Sequence, residues 1–149
     1  MKIAIGCDHI GYHMKLHIIE YLKKREYELV DIGTNSEERT DYPIYGERVA
    51  RLVADGTCRF GILICGTGVG ISLAANKVPG IRAAVCSEPY TAMLTRRHNN
   101  ANIIAFGSCV VGEAVAEHIV DSFLNSRFEG GRHQRRIDMI TLIERGENI

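Results

Sequence analysis

The run Ile62-Leu63-Ile64-Cys65-Gly66-Thr67-Gly68-Val69-Gly70-Ile71-Ser72 constrains this chain more than any other. An apolar stretch ends in a cysteine, three glycines alternate behind it, and a segment of small residues continues to Asn76. This pattern predicts a buried strand, a glycine-rich turn and a helix start. Glycine lets a backbone approach a ligand closely, and a helix start presents unpaired N–H groups. Together they form an anion cradle with a thiol at its lip, Cys65, and a hydroxyl inside it, Thr67. The glycine spacing is neither that of a dinucleotide turn, G-x-G-x-x-G, nor that of a Walker A loop. The plainer reading is a tight turn beside a buried structural cysteine.

The same logic extends along the chain. Strands are expected at Lys2–Cys7, Tyr27–Ile32, Arg59–Cys65, Ile81–Cys86 and Asn102–Phe106. Helices are expected from Tyr12 to about Arg25, Pro43 to about Ala54, after the central turn to about Lys77, Pro89 to about His98, Gly112 to Asn125, and Arg132 to Arg145. In the first helix, Leu16, Ile19 and Leu22 form the apolar face, with Lys15, Glu20, Lys23 and Lys24 turned away. Pro89 suits a first helical position, with Ser87 or Glu88 as its cap. Strand and helix alternate five times, which predicts an α/β fold: a Rossmann-like three-layer α/β/α sandwich on a five-stranded parallel sheet. The expected strand order is 2-1-3-4-5. The loops after strands one and three would then flank the switch point where such folds bind ligands. The last helix, carrying Ile137, Ile140 and Ile143, is surplus to the sheet and is expected to dock on the domain or on a partner subunit.

At 149 residues the chain is expected to be a single domain. The hydrophobic fraction is 46% and the formal net charge is zero, which argues against nucleic acid or a membrane surface as partner. No apolar run reaches the roughly 18 residues of a membrane span, and the first residues run straight into a strand rather than a signal peptide. The five cysteines include no C-x-x-C pair, so neither a disulfide framework nor a structural zinc site is expected, and the setting is read as a reducing cytoplasm.

Several residues stand where chemistry is done. Cys65 is the candidate base or nucleophile. Amides from Gly66 to Gly70, Val69 included, serve best on a substrate oxyanion, where one donor is worth about 2.7–4 kcal/mol. Asp8 and His9 follow the first strand directly, although Asp8 equally suits a helix cap. His98 sits in the polar run Arg96-Arg97-His98-Asn99-Asn100, otherwise a solvated helix end. Arg132 and Arg136 are four apart on one helical face and suit a phosphate gripped from two sides. Tyr42, between Asp41 and Pro43, either covers a site or simply packs. His13, His17 and His118 lie inside expected helices without a ligand spacing, and no metal constellation is read.

Taken together, Gly6-Cys7-Asp8-His9, Glu38-Arg39-Thr40-Asp41-Tyr42-Pro43, Cys65-Gly66-Thr67-Gly68-Val69-Gly70, Arg97-His98-Asn99 and Gly130-Gly131-Arg132-His133 with Arg136 resemble the type B ribose-5-phosphate isomerases. The resemblance covers essentially the whole chain, and no motif position departs from it. It extends to the related isomerases of galactose or allose 6-phosphate. It implies an aldose–ketose isomerase without metal or cofactor, interconverting ribose 5-phosphate and ribulose 5-phosphate through a cis-enediolate. By the family's pattern Cys65 moves the proton between C2 and C1, and Thr67 assists transfer between the oxygens. The amides of Gly66 to Gly70 hold the enediolate. Asp8 and His98 open the sugar ring, His9, Arg132 and Arg136 bind phosphate, and Tyr42 and Asn99 contact the sugar. The resemblance also implies a homodimer or tetramer whose sites are shared between subunits. Two rival readings are a catalytically silent sugar-phosphate sensor, which has no need of a base, and a thiol redox protein, which would want a resolving cysteine beside Cys65.

Overall fold

The computed structural model describes residues 1–149. Five strands form one parallel sheet: β1 (Lys2–Cys7), β2 (Glu28–Gly33), β3 (Phe60–Cys65), β4 (Ala83–Val85) and β5 (Ile103–Gly107). Six helices accompany them: α1 (Tyr12–Lys23), α2 (Tyr42–Ala54), α3 (Val69–Ala75), α4 (Pro89–Asn99), α5 (Glu113–Leu124) and α6 (Arg132–Glu144). The expected α/β architecture is present. Strand side chains alternate between two cores, as the pleat requires. Ile62 and Ile64 pack toward α1 and α5, and Leu63 and Cys65 toward α2 and α3.

The sheet order is β2-β1-β3-β5-β4, not the sequential order expected. All five residues of β5 are buried, whereas the three of β4 are only half-buried. The more apolar Ile-Ile-Ala-Phe strand takes the interior, where both faces are covered, and the shorter Ala-Ala-Val strand takes the edge. Asn76 closes that edge, with its side-chain amide donating to the Ala83 C=O and its oxygen accepting from the Ala83 N–H, both at 2.8 Å.

Helix α1 departs from its expected facing. Leu16 is exposed, and Lys15 is fully buried. The Lys15 ammonium donates to both Asp31 carboxylate oxygens (2.6 and 2.8 Å) and to the Thr34 C=O (2.8 Å). A buried cation is tolerated when its donors are all used. The Glu88 carboxylate caps α4 by accepting from the Thr91 N–H at 2.8 Å, as expected of that position. The surplus helix α6 buries only His133 and Ile137 and leaves Ile140 and Ile143 exposed.

Candidate active site

Because β1, β3 and β5 are neighbours and parallel, their carboxyl ends lie side by side: Cys7 pairs with Ile64, and Cys65 with Gly107. Asp8, the Cys65 turn and Ser108 therefore emerge at one edge. The Cys65 thiol faces back into its own turn, where its sulfur accepts from the Gly68 N–H at 3.0 Å. Gly68 has φ +81°, and a Cβ there would stand 2.8 Å from the Phe106 backbone. Only glycine fits that conformation and that space. The Val69 N–H bonds the Thr67 hydroxyl oxygen at 3.3 Å. Helix α3 has only seven residues, so what it lends is unpaired N–H groups rather than a long dipole.

Asp8 is buried, and its Oδ1 accepts from the Ile10 and Gly11 N–H groups at 3.0 Å each. The carboxylate thus fixes the turn between β1 and α1 and does not cap the helix, whose N-cap is Gly11 without a side-chain cap hydrogen bond. The His9 Nδ1 accepts from the Thr40 N–H at 3.3 Å, which leaves Nε2 as the ring's donor. Tyr42 begins α2 with its ring laid on Gly70, where an added Cβ would stand 2.6 Å from the Tyr42 Cζ. The sheet order brings in residues that sequence reasoning missed. The Ser108 hydroxyl donates to the Ile10 C=O (3.0 Å) and the Cys65 C=O (3.3 Å), while the exposed Cys109 donates its N–H to the Gly66 C=O (3.1 Å). The signal was present, since Gly107-Ser108-Cys109 follows an apolar run just as Gly66-Thr67 does.

Two further thiols, Cys7 and Cys86, stand at or just past strand ends. Burial pushes the Cys7 thiol up to about 12 and the Cys86 thiol likewise to about 12. Both are inert packing groups.

The remaining expected residues gather elsewhere. Helix α4 leaves the carboxyl end of β4 and returns to the amino edge, where the Arg82 Nε donates to the Asn99 C=O at 3.2 Å just ahead of β4. His98 stacks on His133 of α6 with ring centroids 4.2 Å apart and planes 4° apart. The Glu129 Oε2 lies 3.6 Å from the His98 Nε2 and 3.7 Å from the His133 Nε2. Burial lowers the His133 imidazole, with His98 and Arg132 adding to the effect, and Arg136 contributes further. Five residues of β5 span about 17 Å at 3.3 Å per residue. The His98, Asn99, Arg132 and Arg136 group is therefore on the far side of the sheet from Cys65 within one chain.

Two imidazoles and a carboxylate within 4.8 Å form a metal-ligand geometry that the sequence did not suggest. It arises from tertiary contact between α4 and the segment leading into α6, not from spacing along one helix. Arg97 already pairs with Glu129, its Nε donating at 2.7 Å, and Arg132 and Arg136 flank His133. Such a surround suits an anion better than a cation.

A family model described as Ribose/Galactose Isomerase matches residues 3–140. The chain belongs to the ribose/galactose isomerase family. It is accordingly an isomerase. Ribose-5-phosphate isomerase B of Escherichia coli is 58% identical over 147 residues, covering 99% of each chain. The solved ribose-5-phosphate isomerase B of Clostridium thermocellum is 55% identical with a TM-score of 0.97, covering 98% of this chain and 99% of that one. Galactose-6-phosphate isomerase subunit LacB of Clostridium acetobutylicum is 44% identical and covers 92% of this chain and 79% of its own. The family's members thus include proteins named for a pentose phosphate and one named for a hexose phosphate.

Proposed function

We propose that this isomerase interconverts D-ribose 5-phosphate and D-ribulose 5-phosphate through a cis-enediolate, as a single cytoplasmic domain. The observation that carries the reading is the Cys65 sulfur held at 3.0 Å by the Gly68 N–H within a turn of backbone donors. A proton alpha to a carbonyl needs a base and a charge-stabilising cradle, and the turn supplies both. Cys65 as thiolate takes the C2 proton, and the C2–H electron pair becomes the C1–C2 double bond of the enediolate. Amides between Gly66 and Gly70 hold its oxygens. Thr67 passes the hydroxyl proton from O2 to O1, and the thiol returns its proton to C1 as the C2 carbonyl forms. Asp8 and His98 open the ring beforehand. His9, Arg132 and Arg136 grip the phosphate, and Tyr42 and Asn99 bound the sugar.

This assignment requires two chains. His98, Asn99, Arg132 and Arg136 belong to the amino edge and Cys65 to the carboxyl edge, so a complete site takes one set from each subunit of a homodimer or of a tetramer built from such dimers. Within one chain Cys65 is buried, and it lines none of the cavities at Pro43, Ile81, Cys58, Phe60 and Asp55. The exposed Ile140 and Ile143 of α6 supply apolar surface for such a contact.

The likeness to the LacB subunit favours a second reading, a 6-phosphohexose isomerase by the same chemistry. Isomerisation of ribose 5-phosphate in deuterated water, with allose 6-phosphate and galactose 6-phosphate in parallel, separates them. Pentose turnover with solvent deuterium at the carbon that receives the proton is the expected result. Turnover of a hexose alone keeps the mechanism and changes the substrate, and binding without turnover of any of the three overturns the enzyme reading in favour of a sensor.

A further inference from the structure

A second constellation lies at the amino edge, apart from every residue assigned to the isomerase site. A cavity of about 480 Å³ opens where β3 begins and α4 and α5 end. Arg59, Phe60, Arg96, Asn100, Arg127 and Phe128 line it, and no carboxylate does. Its volume falls in the range of small-metabolite sites.

Arg96 is the anomaly. It is 6% exposed. Its Nη1 donates to the Ala101 C=O at 3.1 Å and to the Asn100 side-chain oxygen. Its Nε has no partner, and it is the one buried side-chain nitrogen or oxygen in the molecule left so. An unpaired buried donor is destabilising, and more so when it is charged. The Arg96 guanidinium lies 4.9 Å from the Phe60 ring centroid, and that of Arg59 lies 5.5 Å from the same centroid. Two cations thus flank one ring, and Arg127 adds a third at the cavity wall. Arg25, Arg51 and Arg97 form ion pairs with carboxylates; Arg59, Arg96 and Arg127 do not. Burial, with Arg59 and Arg82 adding like charge, lowers the Arg96 guanidinium from its ordinary value. Buried charges are normally paired, and the buried Arg96 has no carboxylate partner.

Arg96 and His98 are two residues apart on α4, about 200° around the helix at 3.6 residues per turn. One faces Phe60 beneath α5, and the other faces His133 on α6. The two surfaces are distinct, so the cavity is independent of the catalytic assignment.

We propose that this cavity binds a phosphate group, free or carried by a small metabolite, with Arg96 as the buried anchor and Arg59 and Arg127 as the outer cations. The guanidinium fork suits phosphate oxygens. The half-buried Phe128 gives an attached ring an apolar surface.

The test follows the Arg96 Nε–H resonance in protein labelled with 15N-arginine, assigned through Arg96→Lys. Inorganic phosphate and adenosine monophosphate are titrated separately against sodium chloride at matched ionic strength. A saturable shift of that resonance is expected, with affinity weakened at least about tenfold in Arg59→Gln/Arg127→Gln, the loss of one charge-assisted bond or more. Both outer arginines are exposed, so this variant is expected to fold and to keep wild-type isomerase turnover, which is measured alongside. Equal affinity for the two ligands identifies recognition of the phosphate alone, and tighter binding of the nucleotide identifies a ligand with an aromatic body. A resonance that does not move, that moves equally with chloride, or whose titration is unchanged in the double variant overturns the proposal.

Discussion

At the carboxyl edge, the polar groups around Cys65 belong mostly to the main chain: the Gly68 N–H on the sulfur, the Asp8 carboxylate on two amides, the Ser108 hydroxyl on two carbonyls. At the amino edge the contacts are between side chains: His98 on His133, both facing Glu129, and Glu129 held by Arg97. The difference is physical. Main-chain donors are fixed by the strands that carry them and need no reorganisation as charge develops on a substrate. Side chains at helix ends adapt and titrate, and they can reach across to another molecule. A proton-transfer centre suits the first arrangement, and recognition of a flexible phosphorylated sugar suits the second.

The sharpest way to break this contrast is Cys65→Ala. Loss of turnover by about a thousandfold, the range of a positioned general base, is expected with sugar-phosphate affinity nearly unchanged. Calorimetric binding alongside kcat checks it, and retained turnover would sink the base assignment. The next test joins the edges. Cys65→Ala and Arg132→Ala homodimers are each expected to be nearly inactive. When unfolded together and refolded, they should recover about a quarter of wild-type activity, because a two-fold dimer of unlike chains regains one intact site. No recovery would show that each chain builds its own site.

Lys15→Met tests how the carboxyl edge is held from below. Lys15 fixes Asp31 and the Thr34 C=O, and the Thr34 N–H bonds the Cys7 C=O at 2.8 Å, next to Asp8. A stability loss of about 2 kcal/mol is expected, the cost of removing a charged hydrogen-bonding partner, measured as a lower denaturant midpoint. Gly70→Ala is a smaller perturbation. Its methyl group would stand 2.6 Å from the Tyr42 Cζ, so the ring must swing away. We expect KM to rise by about tenfold, or about 1.4 kcal/mol of lost ground-state contact, with kcat little changed. An unchanged KM would show that the Tyr42 ring does not bound the sugar. The mildest effect is one of pH at the amino edge. The His133 imidazole is lowered from its usual 6.5, so below 6.5 the unfolded chain binds the extra proton more readily, and stability falls as pH drops through that range. The Glu129 carboxyl is lowered from 4.5, mainly by its hydrogen bond with Arg97. It acts with the same sign at lower pH, where its stabilisation is lost on protonation. Chemical denaturation at pH 7.5, 6 and 5 should show the decline, and His133→Gln should flatten its upper part.

Much of this was legible along the chain because it depends on local pattern. The glycine turn, Pro89 with the Glu88 cap, the surplus helix α6 and the apolar runs stand close to where their spacing placed them, except that the strand expected over Ile81–Cys86 shortens to Ala83–Val85. The misreadings share a cause. A charged residue on an otherwise apolar helix face reads as exposed, because sequence does not show that Asp31 and the Thr34 C=O await Lys15. Strand order read in sequence missed that β5 outcompetes β4 for the interior, which is what brings Ser108 and Cys109 to the Cys65 turn.

The sequence by itself determined the α/β class, the family and the candidate site motifs, because periodicity and motif are properties of neighbours along the chain. Only the tertiary structure decided that the expected site residues fall into two groups on opposite edges of one sheet, and that Arg96 is buried without a partner for its Nε. Those facts depend on which strands pair and which helix faces meet, contacts between residues far apart in sequence that no local pattern encodes.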